Sequence, residues 1–178
     1  MAFPKVGSKA PDFVCNNENG EPIRLKDYKG KKLVLYFYPK DDTPGCTAEA
    51  CSLRDNYKAL QKAGYEILGV SSDNEKRHTK FIQKYSLPFP LLADTDLKVH
   101  NAYGTWIEKS MYGRSYMGTA RVTFTINEKG IIDEVIEKVN TKEHASQILA
   151  PLAATATKSV AKKPTAKKPV AKKAARKK

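Results

Sequence analysis

The chain has 178 residues, 40% of them hydrophobic, and no run approaching the roughly 20 apolar residues that span a bilayer. Its net charge of +13 is concentrated: Pro151 to Lys178 holds ten Lys or Arg and no acid, which leaves 13 − 10 = +3 for residues 1–150. Three cysteines argue against a disulfide framework, and MAFPKVGSKAPDF has no basic stretch followed by a long apolar one, so no secretory signal is read and a cytoplasmic protein is expected.

Taken in chain order, Cys15 falls in PDFVCNN, near a first strand. LVLYFY, Leu33 to Tyr38, is a continuous apolar run and predicts a strand buried on both faces, ended by Pro39. Thr43 and Pro44 open a helix whose apolar positions Cys46, Ala50, Leu53, Tyr57 and Leu60 are spaced 4, 3, 4 and 3 apart, and Gly64 closes it. YEILGVSS reads as the next buried strand. NEKRHTKFIQKYS reads as an amphipathic surface helix capped by Asn74. FPLLAD is a short strand and TDLKVHNAYG a short helix. A long loop follows, carrying Trp106, Tyr112 and Tyr116, which are open to a place beside a pocket or in ordinary packing. ARVTFTINEKGIIDEVIEKV gives two alternating strands joined at Asn127 to Gly130, and TKEHASQILAPL a closing helix. This order predicts an α/β domain over residues 1–153, thioredoxin-like, with a mixed central β-sheet flanked by helices on both faces. His78, His100 and His144 are expected on helix surfaces.

Residues 154–178 read differently. VAKKPTAKKPVAKKAARKK repeats a five-residue unit, has no aromatic residue and cannot bury enough apolar surface to offset its ordering entropy, so a disordered Lys-rich tail is predicted. Its Lys-Lys pairs suit non-specific, salt-sensitive phosphate contacts. A solubilising appendage is the competing reading, and nuclear import a third if the source is eukaryotic.

Two cysteines stand five apart in PKDDTPGCTAEAC. Cys46 falls in the first turn of the predicted helix, where unpaired backbone N–H groups and the helix dipole favour an anion and so a thiolate. Thr43 supplies a hydroxyl just upstream, and Pro39 and Pro44 stiffen the loop. Cys46 is equally readable as a small apolar residue of the buried stripe. Cys51 lies about 140° around and about 7.5 Å along an intact helix from it. The Cα atoms are then roughly 8–9 Å apart, beyond the ~7 Å reach of a disulfide. Either the two never pair, or the first turns of the helix unwind. The spacing is not Cys-x-x-Cys, and a zinc site built from these cysteines and a histidine has little support.

YFYPKDDTPGCTAEACSLRDNY, LGVSSDNEKRHTKFIQKYSLPFPLLAD and YGTWIEKSMYGRSYMGTARVTFTI resemble the peroxiredoxins, and within them the bacterioferritin-comigratory-protein or peroxiredoxin Q group. The family pattern Pro-x-x-x-Thr/Ser-x-x-Cys is met by Pro39, Thr43 and Cys46, and the resemblance spans about residues 5–152. It implies a thiol peroxidase acting on hydrogen peroxide and organic hydroperoxides, with Cys46 attacking the peroxide and becoming a sulfenic acid. It further implies that Thr43 hydrogen-bonds thiolate and peroxide, that Pro39 shields the site, and that Arg121 stabilises the developing charge. Glu49 and Arg54 match supporting positions. Cys51 matches the resolving cysteine, which many members of the group lack, giving a Cys46–Cys51 disulfide that thioredoxin or a similar dithiol reduces. No metal, haem, flavin or other cofactor is implied, and a monomer is expected. Cys15 matches no role in the family and reads as a buried structural thiol.

Overall fold

A computed structural model describes residues 2–158. Its centre is β3 (Lys32–Phe37), the apolar run read from sequence. Both neighbours of β3 are strands: β4 (Tyr65–Ser71) runs parallel to it and β8 (Val122–Ile126) antiparallel. β5 (Leu91–Ala93) and β9 (Ile132–Ile136) complete a five-stranded mixed sheet in the order β5-β4-β3-β8-β9.

Alternation along β3 divides the core in two. Leu33, Leu35 and Phe37 face a cluster with Phe13, Leu68, Val70, Tyr103 and Phe124. Val34, Tyr36 and Tyr38 face another, containing Cys46, Ala50, Leu53, Leu60, Phe81 and Ile148. Removing each such large side chain from water stabilises the fold by about 1.5–3 kcal/mol. The second cluster lies beneath α1 (Pro44–Asp55), α2 (Tyr57–Lys62), α3 (Glu75–Tyr85) and α5 (His144–Lys158), and α4 (Lys98–Ala102) contributes Val99 to the other face. Helices therefore flank both faces, as the element order predicts. The Tyr36 side chain closes on Gly69 of β4, where an added Cβ would come 2.8 Å from the tyrosine ring and 2.5 Å from Leu91 Cδ2. That close approach explains a glycine in mid-strand.

Several expectations need correction. The helix expected from Pro44 to Gly64 is two helices. At the break the Asn56 side chain donates to the Ser52 carbonyl at 2.9 Å, the acceptor its own backbone N–H also uses, and such competition ends α1. The long loop before Arg121 is instead a hairpin of β6 (Trp106–Met111) and β7 (Arg114–Thr119). Tyr112 and Gly113 at its tip both have positive φ, 53° and 75°, as a two-residue type I′ turn requires. Most of β7 is exposed, so it carries no alternating apolar signal. A small hairpin of β1 (Val14–Asn16) and β2 (Pro22–Arg24) was likewise not anticipated. The closing helix α5 runs from His144 to Lys158, and the tail expectation from residue 159 onward lies outside the described residues.

The histidines are not surface residues: His78, His100 and His144 are all 0% exposed. Each is buried because a partner waits for it. His78 Nδ1 lies 2.8 Å from Asp41 Oδ2 and Nε2 3.1 Å from the Leu92 carbonyl. His100 Nδ1 lies 2.6 Å from Asp94 Oδ2, and His144 Nε2 lies 2.9 Å from Thr123 Oγ1. Among the described residues no helix is long and apolar enough to cross a membrane.

Candidate active site

The loop from Pro39 to Thr43 joins the end of β3 to α1 and is held from below. Asp41, 3% exposed, accepts from the Tyr38 hydroxyl at 2.7 Å and faces His78, while its backbone N–H donates to Asp73 Oδ2 at 2.7 Å. Asp42 adopts φ 57° and receives the Lys84 ammonium and the Tyr85 hydroxyl from the end of α3. Thr43 is the N-cap in extended conformation, its carbonyl accepting the first helical bond from Thr47. Pro44 follows at the first helical position, where its missing N–H costs nothing.

Cys46 thus sits in the first turn of α1, 2% exposed, with the helix-head N–H groups around it. Arg121, between β7 and β8, donates from Nη2 to Cys46 Sγ at 3.2 Å and from Nη1 to Glu49 Oε2. One guanidinium therefore serves two acceptors on consecutive turns of one helix. Gly45 makes room for it, since a Cβ there would lie 3.3 Å from Nη2. Burial opposes the charge on Arg121, but Glu49 and Cys46 outweigh it and hold the group firmly protonated. Burial drives the Glu49 carboxyl the other way, up to about 7 against the pull of Arg121.

The structure brings Cys46, Arg121 and Glu49 together. Thr43 is adjacent, but its hydroxyl donates to the Lys40 carbonyl at 3.0 Å. Pro39 is half-buried at the end of β3. Arg54 is not at the thiol: it donates to Asp55 Oδ1 and to the Tyr85 carbonyl, both at 2.8 Å. Cys51 is half-buried, further along α1, and all three cysteines are free thiols. Cys15 is buried in β1, its thiol pushed up to about 12 by burial and by Asp94 and Asp96. Trp106 packs edge-on against His100, whereas Tyr112 and Tyr116 are exposed on the hairpin.

Three residues at this site escaped the sequence reading. His144 reaches Glu49 from α5, with Nε2 3.7 Å from Oε1. Tyr36 turns its hydroxyl into the same interior, its ionisation held well above the usual range by burial and by Glu49. Lys109 of β6 donates to the Thr119 carbonyl, and burial together with nearby Arg121 holds its ammonium below the usual lysine range. Only His144 left a trace, as the first member of the stripe it forms with Ala145, Ile148 and Leu149.

A thiol in the first turn of a helix, under a guanidinium and on a thioredoxin-like sheet, is the arrangement of a thiol peroxidase. Residues 6–135 match the AhpC/TSA family. The chain is 49% identical over 148 residues to a bcp peroxiredoxin of Coxiella burnetii, covering 83% of this chain and 98% of that one. It is 44% identical to peroxiredoxin Bcp of Bacillus subtilis, covering 83% and 94%. Among solved structures, PrxQ of Xylella fastidiosa superposes with a TM-score of 0.81 at 31% identity, over 88% of this chain and 99% of that one. Peroxiredoxin Q of Xanthomonas campestris gives 0.77 at 37%, over 87% and 98%. The chain belongs to the AhpC/TSA family, as a peroxiredoxin of the bacterioferritin-comigratory-protein or peroxiredoxin Q group, and is a peroxidase.

Proposed function

We propose that Cys46 is the attacking thiol and Cys51 the resolving one. The observation that carries this is the Arg121 Nη2–Cys46 Sγ contact of 3.2 Å at the head of α1. The thiolate attacks the terminal peroxide oxygen: an S–O bond forms, the O–O bond breaks, sulfur is oxidised to sulfenic acid, and the alkoxide or hydroxide leaves with its charge facing Arg121. Cys51 then displaces water to form the disulfide, and a dithiol such as thioredoxin restores both thiols by exchange. Thr43 serves peroxide once its hydroxyl turns from Lys40, and Pro39 limits water at the mouth. The Xanthomonas campestris bacterioferritin comigratory protein is described by its alkyl peroxide reduction activity, which supports organic hydroperoxides as substrates here beside hydrogen peroxide. A monomer acting in the cytoplasm completes the reading.

Cys46→Ser is expected to abolish peroxide consumption. Cys51→Ser is expected to allow one oxidation of Cys46 while losing thioredoxin-supported turnover. Mass spectrometry after one equivalent of peroxide checks both, and normal activity in Cys46→Ser would sink the assignment.

The charge split favours a second, compatible reading in which the Lys-rich tail contacts nucleic acid and sets localisation, at a nucleoid or a nucleus. Absence of any DNA gel shift by the full chain at low salt would refute it.

A further inference from the structure

Glu49 is 0% exposed, and its two oxygens are treated differently. Oε2 receives Arg121 Nη1, whereas Oε1 has no hydrogen-bond partner among the described residues. A buried carboxylate oxygen left bare costs free energy, and the cost vanishes if that oxygen carries a proton with an acceptor close by. The group facing Oε1 is His144, at 3.7 Å, just beyond hydrogen-bond reach.

The hydrogen bonds around His144 decide which of its nitrogens can accept. Gln147 Oε1 takes the Asn140 backbone N–H at 2.7 Å, and Gln147 Nε2 donates to the Lys138 carbonyl at 3.0 Å, so the amide orientation is fixed. His144 Nδ1, 3.4 Å from Gln147 Oε1, must then be the donor. Nε2 is then the acceptor, taking the Thr123 hydroxyl at 2.9 Å, with Glu49 Oε1 beside it at 3.7 Å. Burial, against the bond to Gln147 and aided by Arg121, lowers the imidazole to about 4, so it is neutral. A neutral imidazole gives no charge to a carboxylate.

The charges in this interior do not balance if every acid is ionised. Facing Glu49 are Cys46 on its own helix, Arg121 before β8, neutral His144 on α5 and un-ionised Tyr36 on β3, with Lys109 of β6 close enough to feel Arg121 and Cys46. Among the described residues Arg121 is the single cation that contacts both the thiol and the carboxyl. A Cys46 thiolate and a Glu49 carboxylate together set two buried negative charges against one shared guanidinium, with only the helix-head N–H groups and Lys109 to help at sulfur, which is unfavourable at the carboxyl.

Resting on the assignment of Cys46 as the reacting thiol, we propose that Glu49 and His144 form a buried protonation site whose occupancy follows the charge on Cys46 through the shared Arg121. While Cys46 is a thiolate, Glu49 is a neutral acid beside the uncharged His144–Thr123 pair and Arg121 is committed to sulfur. When sulfur becomes an uncharged sulfenic acid, Arg121 is released to Glu49, which ionises. The half-reaction balances in atoms and charge: thiolate, hydroperoxide and Glu49 carboxylic acid give sulfenic acid, alcohol and Glu49 carboxylate. His144 is a positioning residue, since it touches neither sulfur nor peroxide.

Infrared difference spectroscopy of the full-length protein tests this without a variant that must refold. Reduced enzyme near neutral pH is expected to show the carbonyl stretch of a protonated carboxylic acid, absent in isosteric Glu49→Gln and lost on one equivalent of peroxide. His144→Phe is expected to move the pH at which that band titrates, whereas His144→Asn, which retains a polar partner, restores part of the shift. If the reduced enzyme lacks the band, or keeps it unchanged while peroxide is consumed normally, the proton site is refuted and the role of Cys46 stands. If peroxide oxidises no Cys46, the underlying assignment fails instead.

Discussion

At the scale of single residues, two buried groups pull the pH dependence of stability in opposite directions. Glu49 rises from 4.5 to about 7, so between those values the unfolded chain has lost a proton the folded one retains, and stability falls as pH rises. His144 falls from 6.5 to about 4, so the unfolded chain binds more protons across that window and stability rises with pH, being lost again toward acid. The two slopes largely cancel from pH 4.5 to 6.5. Glu49→Gln removes the falling one. Urea midpoints of that variant are expected to climb more steeply than wild type from pH 4.5 to 7, by on the order of 3 kcal/mol in total. Parallel curves would show that Glu49 ionises normally in the fold. The Glu49 position was readable in the sequence, but its burial was not, because Arg121 and His144 come from 72 and 95 positions away.

At the scale of elements, the proposed cycle asks α1 to hold Cys46 in its first turn and then release it. Cys46 and Cys51 cannot join within an intact helix, so forming the disulfide requires the turns between them to open. The end of α3 holds the loop that leads into α1, through Lys84 and Tyr85 on Asp42, and α1 itself, through the Tyr85 carbonyl on Arg54. Arg54 thus ties α1 to the end of α3. Arg54→Ala is expected to leave the first oxidation of Cys46 unchanged and to speed the following disulfide step about two- to tenfold, the range set by one hydrogen bond. Stopped-flow separation of the two steps checks this, and a slowed first oxidation would return Arg54 to the reacting centre. β3, α3 and the β8–β9 hairpin were legible because their periodicity is strong. The β6–β7 hairpin was not, since a ribbon with one exposed strand has no buried face to impose a pattern.

At the scale of the whole molecule, the folded domain and the charged tail are separable in sequence. The two core clusters lie on the faces of one sheet, and among the described residues they draw on α5 only through Ala145, Ile148 and Leu149. Truncation after Lys158 is expected to keep the melting temperature and the peroxidase rate of the full chain while removing any salt-dependent DNA gel shift. Loss of peroxidase activity would show that the tail contributes to the site.

The sequence by itself determined the order of the central strands and of the helices that flank them, short of the break between α1 and α2, and it placed a cysteine in the first turn of a helix after β3, because these depend on local period and local breakers. His78 stood in plain view in the stripe with Phe81, Ile82 and Tyr85, yet nothing within α3 says that Asp41 and the Leu92 carbonyl will receive its nitrogens. Only the tertiary structure decided that one arginine is shared by Cys46 and Glu49, and that a neutral histidine faces the carboxyl. The reason is physical: whether a polar group is buried, and in which charge state, is set by what the rest of the chain places against it.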